Sequence, residues 1–177
     1  AATWWLLLDQ VDNEFKLSKY TSFNTRYDKL NQPRSAGYQA FRQSRCIIPA
    51  KGFGETQKVG SKYYYHDMEA IDGEAIAFGG LCRDWRHAVT GQIVTSCSVI
   101  TIPPHDKLMH IHKKSMPLIL PQEESLINRW LDGSMQNVEE FSPLLEPYIP
   151  QDLTAYPIDK PSSYQIIGMP EYIEKDG

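Results

Sequence analysis

Arg45-Cys46-Ile47-Ile48-Pro49-Ala50-Lys51-Gly52-Phe53-Gly54-Glu55 is the stretch that decides how this chain folds. Cys46-Ile47-Ile48 reads as a compact apolar strand, and Pro49-Ala50-Lys51-Gly52 turns the chain by Pro and Gly chemistry. Glu55 then follows a Gly-Phe-Gly segment with no helical partner. Aromatic neighbours that desolvate such a carboxylate raise its pKa and fit it for acid–base work near neutrality; the bland reading is a solvated turn glutamate.

On the N-terminal side, Ser35 to Arg45 suits a helix lying on a sheet through Ala36, Ala40 and Phe41, its exposed side positive. Phe23 to Arg26 is a short extended piece, and Trp4 to Leu8 a buried strand closed by a loop over Asp9 to Asn13. On the C-terminal side, Lys62 to His66 and Ala75 to Leu81 read as strands joined by an Asp72-Gly73 hairpin turn. Ser96 to Ile102 is a strand stopped by Pro103-Pro104, His105 to His112 a loop or short helix, and Pro117 to Leu120 a core strand. Gln122 to Leu131 is an amphipathic helix ended by Asp132-Gly133. From Pro143 onward the chain lacks helical period and reads as irregular structure with one or two edge strands. The sum is an α+β fold of mainly antiparallel β sheets, barrel- or sandwich-like, with a few flanking helices.

The length of 177 residues, with 41% hydrophobic and 23% charged side chains, sets the expectation of a single globular domain over residues 1–177. No apolar run approaches the roughly 20 residues of a membrane helix, and no signal peptide opens the chain. Three cysteines at spacings that fit neither a zinc module nor a disulfide framework point to a reduced, cytoplasmic protein. Ala1-Ala2-Thr3-Trp4 opens without Met in what reads as the middle of a strand, which raises the expectation of a trimmed N-terminal piece.

The net charge of −4 argues against a generally basic nucleic-acid binder, yet it averages two unlike regions. Residues 24–51 carry Arg26, Lys29, Arg34, Arg42, Arg45 and Lys51 against Asp28 alone, while residues 122–177 hold eleven acidic side chains against three basic ones. One face would then attract a polyanion. Solvated charges that cluster by chance are the bland alternative.

Several other side chains could carry chemistry beside Glu55. Asn24 and Arg26, two apart on an extended segment, point the same way and make a grip for a phosphate or a sugar oxygen. His112 is a candidate acid–base group. His110-x-His112 has the spacing of paired metal ligands, but no Cys, Asp or Glu completes a site, so neither metal nor cofactor is expected. Cys46 and Cys97 read as inert core thiols, and Cys82 beside Arg83 as an unsupported nucleophile. Trp4 or Trp5 could stack on an unpaired base.

Taken in order, these pieces resemble the SOS response-associated peptidase (SRAP) family from residue 4 to about 131, roughly the last two thirds of a family domain. Trp4-Trp5-Leu6 resembles its Trp-Gly-Leu-Ile-Pro strand, Phe23 to Arg26 its Asn-Ala-Arg motif, and Arg45 to Glu55 its Arg-Cys-Leu-Val-Pro-Ala-Asp-Gly-Phe-Tyr-Glu-Trp block. Ala77 to Leu81 resembles Phe-Ala-Gly-Leu-Trp, and Ser98 to Thr101 the Ile-Ile-Thr strand. Ile111-His112 with Met116 to Leu120 resembles Ile-His-x-Arg-Met-Pro-Val-Ile-Leu. Six modest motifs in one order are specific.

The resemblance implies a monomeric protein that binds abasic sites in single-stranded DNA. In that family a cysteine at position two, freed at the N-terminus, forms a thiazolidine with the ring-opened sugar aldehyde. It implies that Glu55 and His112 inherit the roles of ring opening, imine chemistry and leader removal, that Asn24, counted with them in the catalytic set, grips the backbone around the lesion with Arg26, that Arg45 and Thr101 contact phosphate, and that Trp4 or Trp5 wedges beside the lesion. The departures are that no Met-Cys-Gly-Arg start occurs, that Gly54, Thr56 and Lys51 replace an aromatic, Trp and an acid, and that Lys113-Lys114-Ser115 is one residue longer than the usual connection and lacks its Arg. Either the cysteine lies upstream, or the chain is a degenerate member that binds nucleic acid or a protein partner non-covalently. A peptidase acting on other proteins would need a nucleophile–base constellation that cannot be assembled here.

Overall fold

A computed structural model describes the backbone of residues 1–177 and every side chain except that of Asp72. Two main sheets face each other in a sandwich-like α+β arrangement that does not close into a barrel, with few helices. The first sheet has the order β1 (Ala2–Trp4), β9 (Ile93–Ile102), β8 (Ile76–Arg86), β5 (Arg45–Ala50). Two further short strands, β4 (Asn24–Arg26) and β10 (Met116–Pro117), also pair with β9. The second sheet runs β12 (Glu171–Ile173), β11 (Leu153–Ile158), β7 (Lys62–Ala70), β6 (Gly52–Val59). A hairpin of β2 (Leu8–Val11) and β3 (Glu14–Leu17) stands beside them.

β9 is the hub because Ile93, Val94, Thr95, Val99, Ile100, Thr101 and Ile102 are β-branched, and seven consecutive residues from Ser96 to Ile102 are buried. Its neighbours β1 and β4 run parallel to it while β8 and β10 run antiparallel, so the sheet is mixed at that edge. The β8 residue Gly79 is required by packing: a Cβ there would stand 2.6 Å from a Leu118 methyl and 3.3 Å from the Trp130 ring. Helix α1 (Tyr38–Gln43) buries Ala40 and Phe41, and α2 (Glu124–Leu131) buries Trp130, so Phe41, Trp130 and Phe141 form an aromatic knot at one end of the core.

Four readings of local structure are corrected. The strand expected over Trp4 to Leu8 ends at Trp4, which is 59% exposed. The chain then leaves the sheet, with Leu6 N–H bonded to the Ser22 carbonyl and the Leu7 amide to the Ser22 hydroxyl. Asp9 to Asn13 is no loop: Leu8–Val11 pairs with Glu14–Leu17 around a two-residue turn, where Asp12 takes a φ of 53° that Asp tolerates. Pro49 to Gly52 does not end a strand, because β5 continues through Ala50 and β6 starts at Gly52, so one strand passes between the two sheets at Lys51. The Asp72-Gly73 signal is not a hairpin; it lies in a 3-10 turn, Ile71–Gly73, that carries the chain from β7 in one sheet to β8 in the other. The true hairpin partner of β7 is β6, turned at Gly60 with φ of 63°.

A candidate acid–base cleft

The passage at Lys51 is what builds the site. It leaves Ile48 and Ala50 of β5, Phe53 and Glu55 of β6, Phe78 of β8 and Val99 of β9 around one cleft of about 590 Å³. Phe53 and Phe78 close its floor edge-to-face, ring centroids 5.6 Å apart. Asn24 and Thr101 enter from the parallel β4–β9 edge, and His112, Ser115 and Met116 from the segment that follows β9. The walls are mostly apolar, so the polar groups stand in reduced dielectric.

His112 is 22% and Glu55 18% exposed at the side chain, with His112 Nδ1 3.4 Å from Glu55 Oε2. The same Nδ1 lies 2.8 Å from the Thr56 carbonyl. A carbonyl only accepts, so Nδ1 carries the proton and, in the neutral ring, Nε2 is the free acceptor. Desolvation raises the Glu55 carboxyl above the usual carboxylate range, and the His112 charge pulls it back in part. The cleft therefore holds a carboxyl that grips its proton more tightly than an ordinary carboxylate, beside an imidazole nitrogen able to take one.

The other expected site residues divide. Trp4 and Thr101 line the cleft with Asn24, Glu55 and His112. Trp5 does not line it; its indole N–H donates to the Ser18 carbonyl at 3.1 Å, while Phe23 touches both tryptophans. Arg26 lines an adjoining depression of about 420 Å³ with Tyr27, Thr101, Pro103, Pro104, Lys114 and Ser115, and it is held bidentately by Asp28 at 2.9 and 3.1 Å. Arg45 is corrected outright. It is only 5% exposed, and its guanidinium donates to the carbonyls of Phe41, Arg42, Trp130 and Asp132, so it ties α1 to the end of α2 and has no access to a phosphate.

The expected basic face is thinned: Arg45 is buried, Arg26 and Lys51 are ion-paired, and Lys29 and Arg34 stay exposed. Arg42 donates to the Leu30 and Tyr38 carbonyls and to the Asn31 amide oxygen, and Lys51 pairs with Glu69 at 2.8 Å. Among the described residues, the exposed cations beside the cleft without an ion-pair partner are Lys113 and Lys114, which the charge count of residues 24–51 missed. The two imidazoles of His110-x-His112 go to different partners, His110 to Glu171 at 2.7 Å and His112 to Thr56 and Glu55.

The cysteines are also more connected than expected. Cys82 and Cys97 are direct partners across β8 and β9, Cys46 on β5 stands opposite Gly80, two residues from Cys82, and none is disulfide-bonded. A hydrogen bond from Cys46 lowers the Cys82 thiol to about 7, whereas that bond and burial push Cys46 up. A larger depression, about 720 Å³ and lined by Gln122, Gln151, Asp152 and Lys175 among others, shares no residue with the cleft.

Fold and site together define a β-sandwich-like protein with an acid–base pair in an apolar cleft between its sheets. The family model for SOS response associated peptidase (SRAP) matches residues 1–162, and the chain belongs to that family. It is 29% identical over 160 residues to the abasic site processing protein YoqW of Bacillus subtilis, covering 88% of this chain and 67% of that protein. To the abasic site processing protein HMCES of Xenopus tropicalis it is 27% identical over 177 residues, covering 89% of this chain and 52% of that one. A crystal structure of a protein from Bacteroides thetaiotaomicron superposes with a TM-score of 0.68 at 27% identity, covering 78% of this chain and 59% of the other. The chain thus spans about half to two thirds of the length of these relatives. Among the described residues, no helix is long and apolar enough to cross a membrane.

Proposed function

We propose that this chain binds and processes abasic sites in DNA, and that its substrate is the single-stranded form. The carrying observation is the Glu55–His112 pair beside Asn24 in an apolar cleft. An abasic sugar rests mainly as a closed hemiacetal. Glu55, whose affinity for its proton desolvation raises, donates that proton to the ring oxygen as the C1′–O4′ bond breaks, and His112 Nε2 takes the proton from the C1′ hydroxyl. The product is the open aldehyde. The Asn24 amide holds the sugar, and Trp4 stacks on the neighbouring base.

None of the described residues lining the cleft carries a thiol or an amine. Their own chemistry is therefore proton transfer. By the family resemblance, the nucleophile that traps the aldehyde as a thiazolidine would be a cysteine made N-terminal, freed by the same acid–base pair. We further propose that residues 1–177 act as a single domain, as a monomer and in the cytoplasm.

The test is fluorescence anisotropy with three labelled strands of one sequence: abasic single-stranded, intact single-stranded and abasic duplex. The proposal expects tightest binding to the first, weakening with salt. Equal affinity for abasic and intact strands would refute lesion recognition and leave non-covalent single-strand binding as the function.

A further inference from the structure

The segment that carries His112 is gripped from two sides. On one side β6 holds it: the Thr56 carbonyl takes the His112 ring proton, and the Gln57 amide, with its NH2 turned toward the loop, donates to the carbonyls of His110 and Ile111. On the other side lie residues 171–176, beyond the end of the family match at residue 162.

Asp176 is the centre of that second grip. Its Oδ1 accepts from Lys107 Nζ at 2.8 Å, and its Oδ2 accepts from the Ile149 amide at 2.8 Å and stands 3.1 Å from His105 Nε2. His105 Nδ1 already accepts the Lys107 amide at 3.1 Å, so Nε2 is the protonated nitrogen and donates to Asp176 even in the neutral ring. Lys107 Nζ also donates to the Glu174 carbonyl at 2.7 Å. A second latch joins His110 Nε2 to Glu171 Oε2 at 2.7 Å. Between the latches, Ile173 is buried in the core and β12 pairs with β11, which anchors the tail itself.

His112 hangs from this turn, because its amide donates to the Leu108 carbonyl at 2.8 Å. The segment's only other regular structure is the 3-10 turn Asp106–Leu108. A segment so short of ladder bonds samples many conformers unless tertiary contacts fix it.

We propose that residues 171–176 are a positioning strap, in which Asp176 and Glu171 fix the loop so that the His112 ring meets Thr56 and Glu55 in one tautomer. The strap rests on the reading of Glu55 and His112 as the acid–base pair, but its test does not depend on DNA. Removing the Asp176 carboxylate frees Lys107 and His105 together and lets the turn open without touching the cleft.

The experiment compares the whole chain with Asp176→Ala, Asp176→Asn and Glu171→Gln by ring ¹⁵N chemical shifts of His112 and by amide exchange. In the parent the ring nitrogens report one Nδ1–H tautomer. In Asp176→Ala the tautomers mix, and the amides of Ile111 and His112 exchange roughly tenfold faster or more, the expected loss for a charge-assisted hydrogen bond, while β8 and β9 keep their protection. Asp176→Asn, which keeps one acceptor, preserves part of the single-tautomer signature and of the exchange protection. An unchanged His112 ring signature and unchanged exchange in Asp176→Ala would overturn the strap. If that variant unfolds globally, Glu171→Gln at the exposed latch decides by the same two readouts. A parent that binds no abasic DNA while the ring signature still follows Asp176 would refute the proposed function and leave the strap standing.

Discussion

The His112 imidazole bridges two consecutive residues of β6: Nδ1 lies 2.8 Å from the Thr56 carbonyl and 3.4 Å from the Glu55 carboxylate. A backbone acceptor fixes the tautomer, and a desolvated carboxyl stands beside it.

Glu55→Gln alters the pH dependence of stability. The folded-state pKa of Glu55 is raised, so the native state favours the neutral carboxyl. That contribution is complete below the unfolded carboxylate pKa and is lost as pH rises through the folded value. Glutamine stays neutral throughout, so the melting temperature of Glu55→Gln gains on the parent as pH rises from about 4 to about 7. Thermal unfolding at both ends of that range checks this, and a gain larger at the acid end would contradict it.

Arg45→Met destabilises the fold on the order of 3 kcal/mol, because four carbonyls lose a charged donor in the interior. Urea unfolding measures it. At temperatures where the variant is folded, the salt dependence of DNA binding is unchanged, since this guanidinium faces no phosphate.

Lys113→Ala with Lys114→Ala changes the salt dependence instead. Each phosphate that a lysine neutralises on a single strand adds about 0.7 to the slope of log K against log salt, so the double variant has a slope shallower by up to about 1.4. Anisotropy titrations at several salt concentrations give the slope, and unfolding curves stay the same because both side chains are exposed.

Trp4→Ala lowers affinity for single strands by about 1–3 kcal/mol, the usual value of one base–aromatic stack. Stability changes little, because Trp4 is 59% exposed, though its indole bond to the Phe23 carbonyl at 2.8 Å is removed. A large drop in melting temperature with unchanged affinity would assign Trp4 to the fold instead.

Residue order alone carried the strand-rich α+β class and the family, because short β-branched runs and six ordered motifs are local signals. It carried the residues of the cleft far better than their partners. Arg45 looked like part of a cationic surface, since nothing local marks that Trp130 and Asp132, far along the chain, supply its acceptors. Asp72-Gly73 carries a hairpin signature, but the chain uses it to change sheets, a choice set by which neighbour buries Met68 and Ile76. The strap was invisible for the same reason: a tail without period gives no hint that Asp176 meets Lys107 and His105.

The central claim is that Glu55 and His112 open the abasic sugar by proton transfer. Exchange spectroscopy on a single strand carrying ¹³C at the abasic C1′ tests it directly, because the two closed anomers interconvert only through the open aldehyde. The predicted result is that the protein speeds interconversion roughly a hundredfold or more, the low end for acid–base catalysis, and that Glu55→Gln and His112→Ala abolish the gain while the strand stays bound. Interconversion at the same rate with and without protein, on strands shown to be bound, would contradict it.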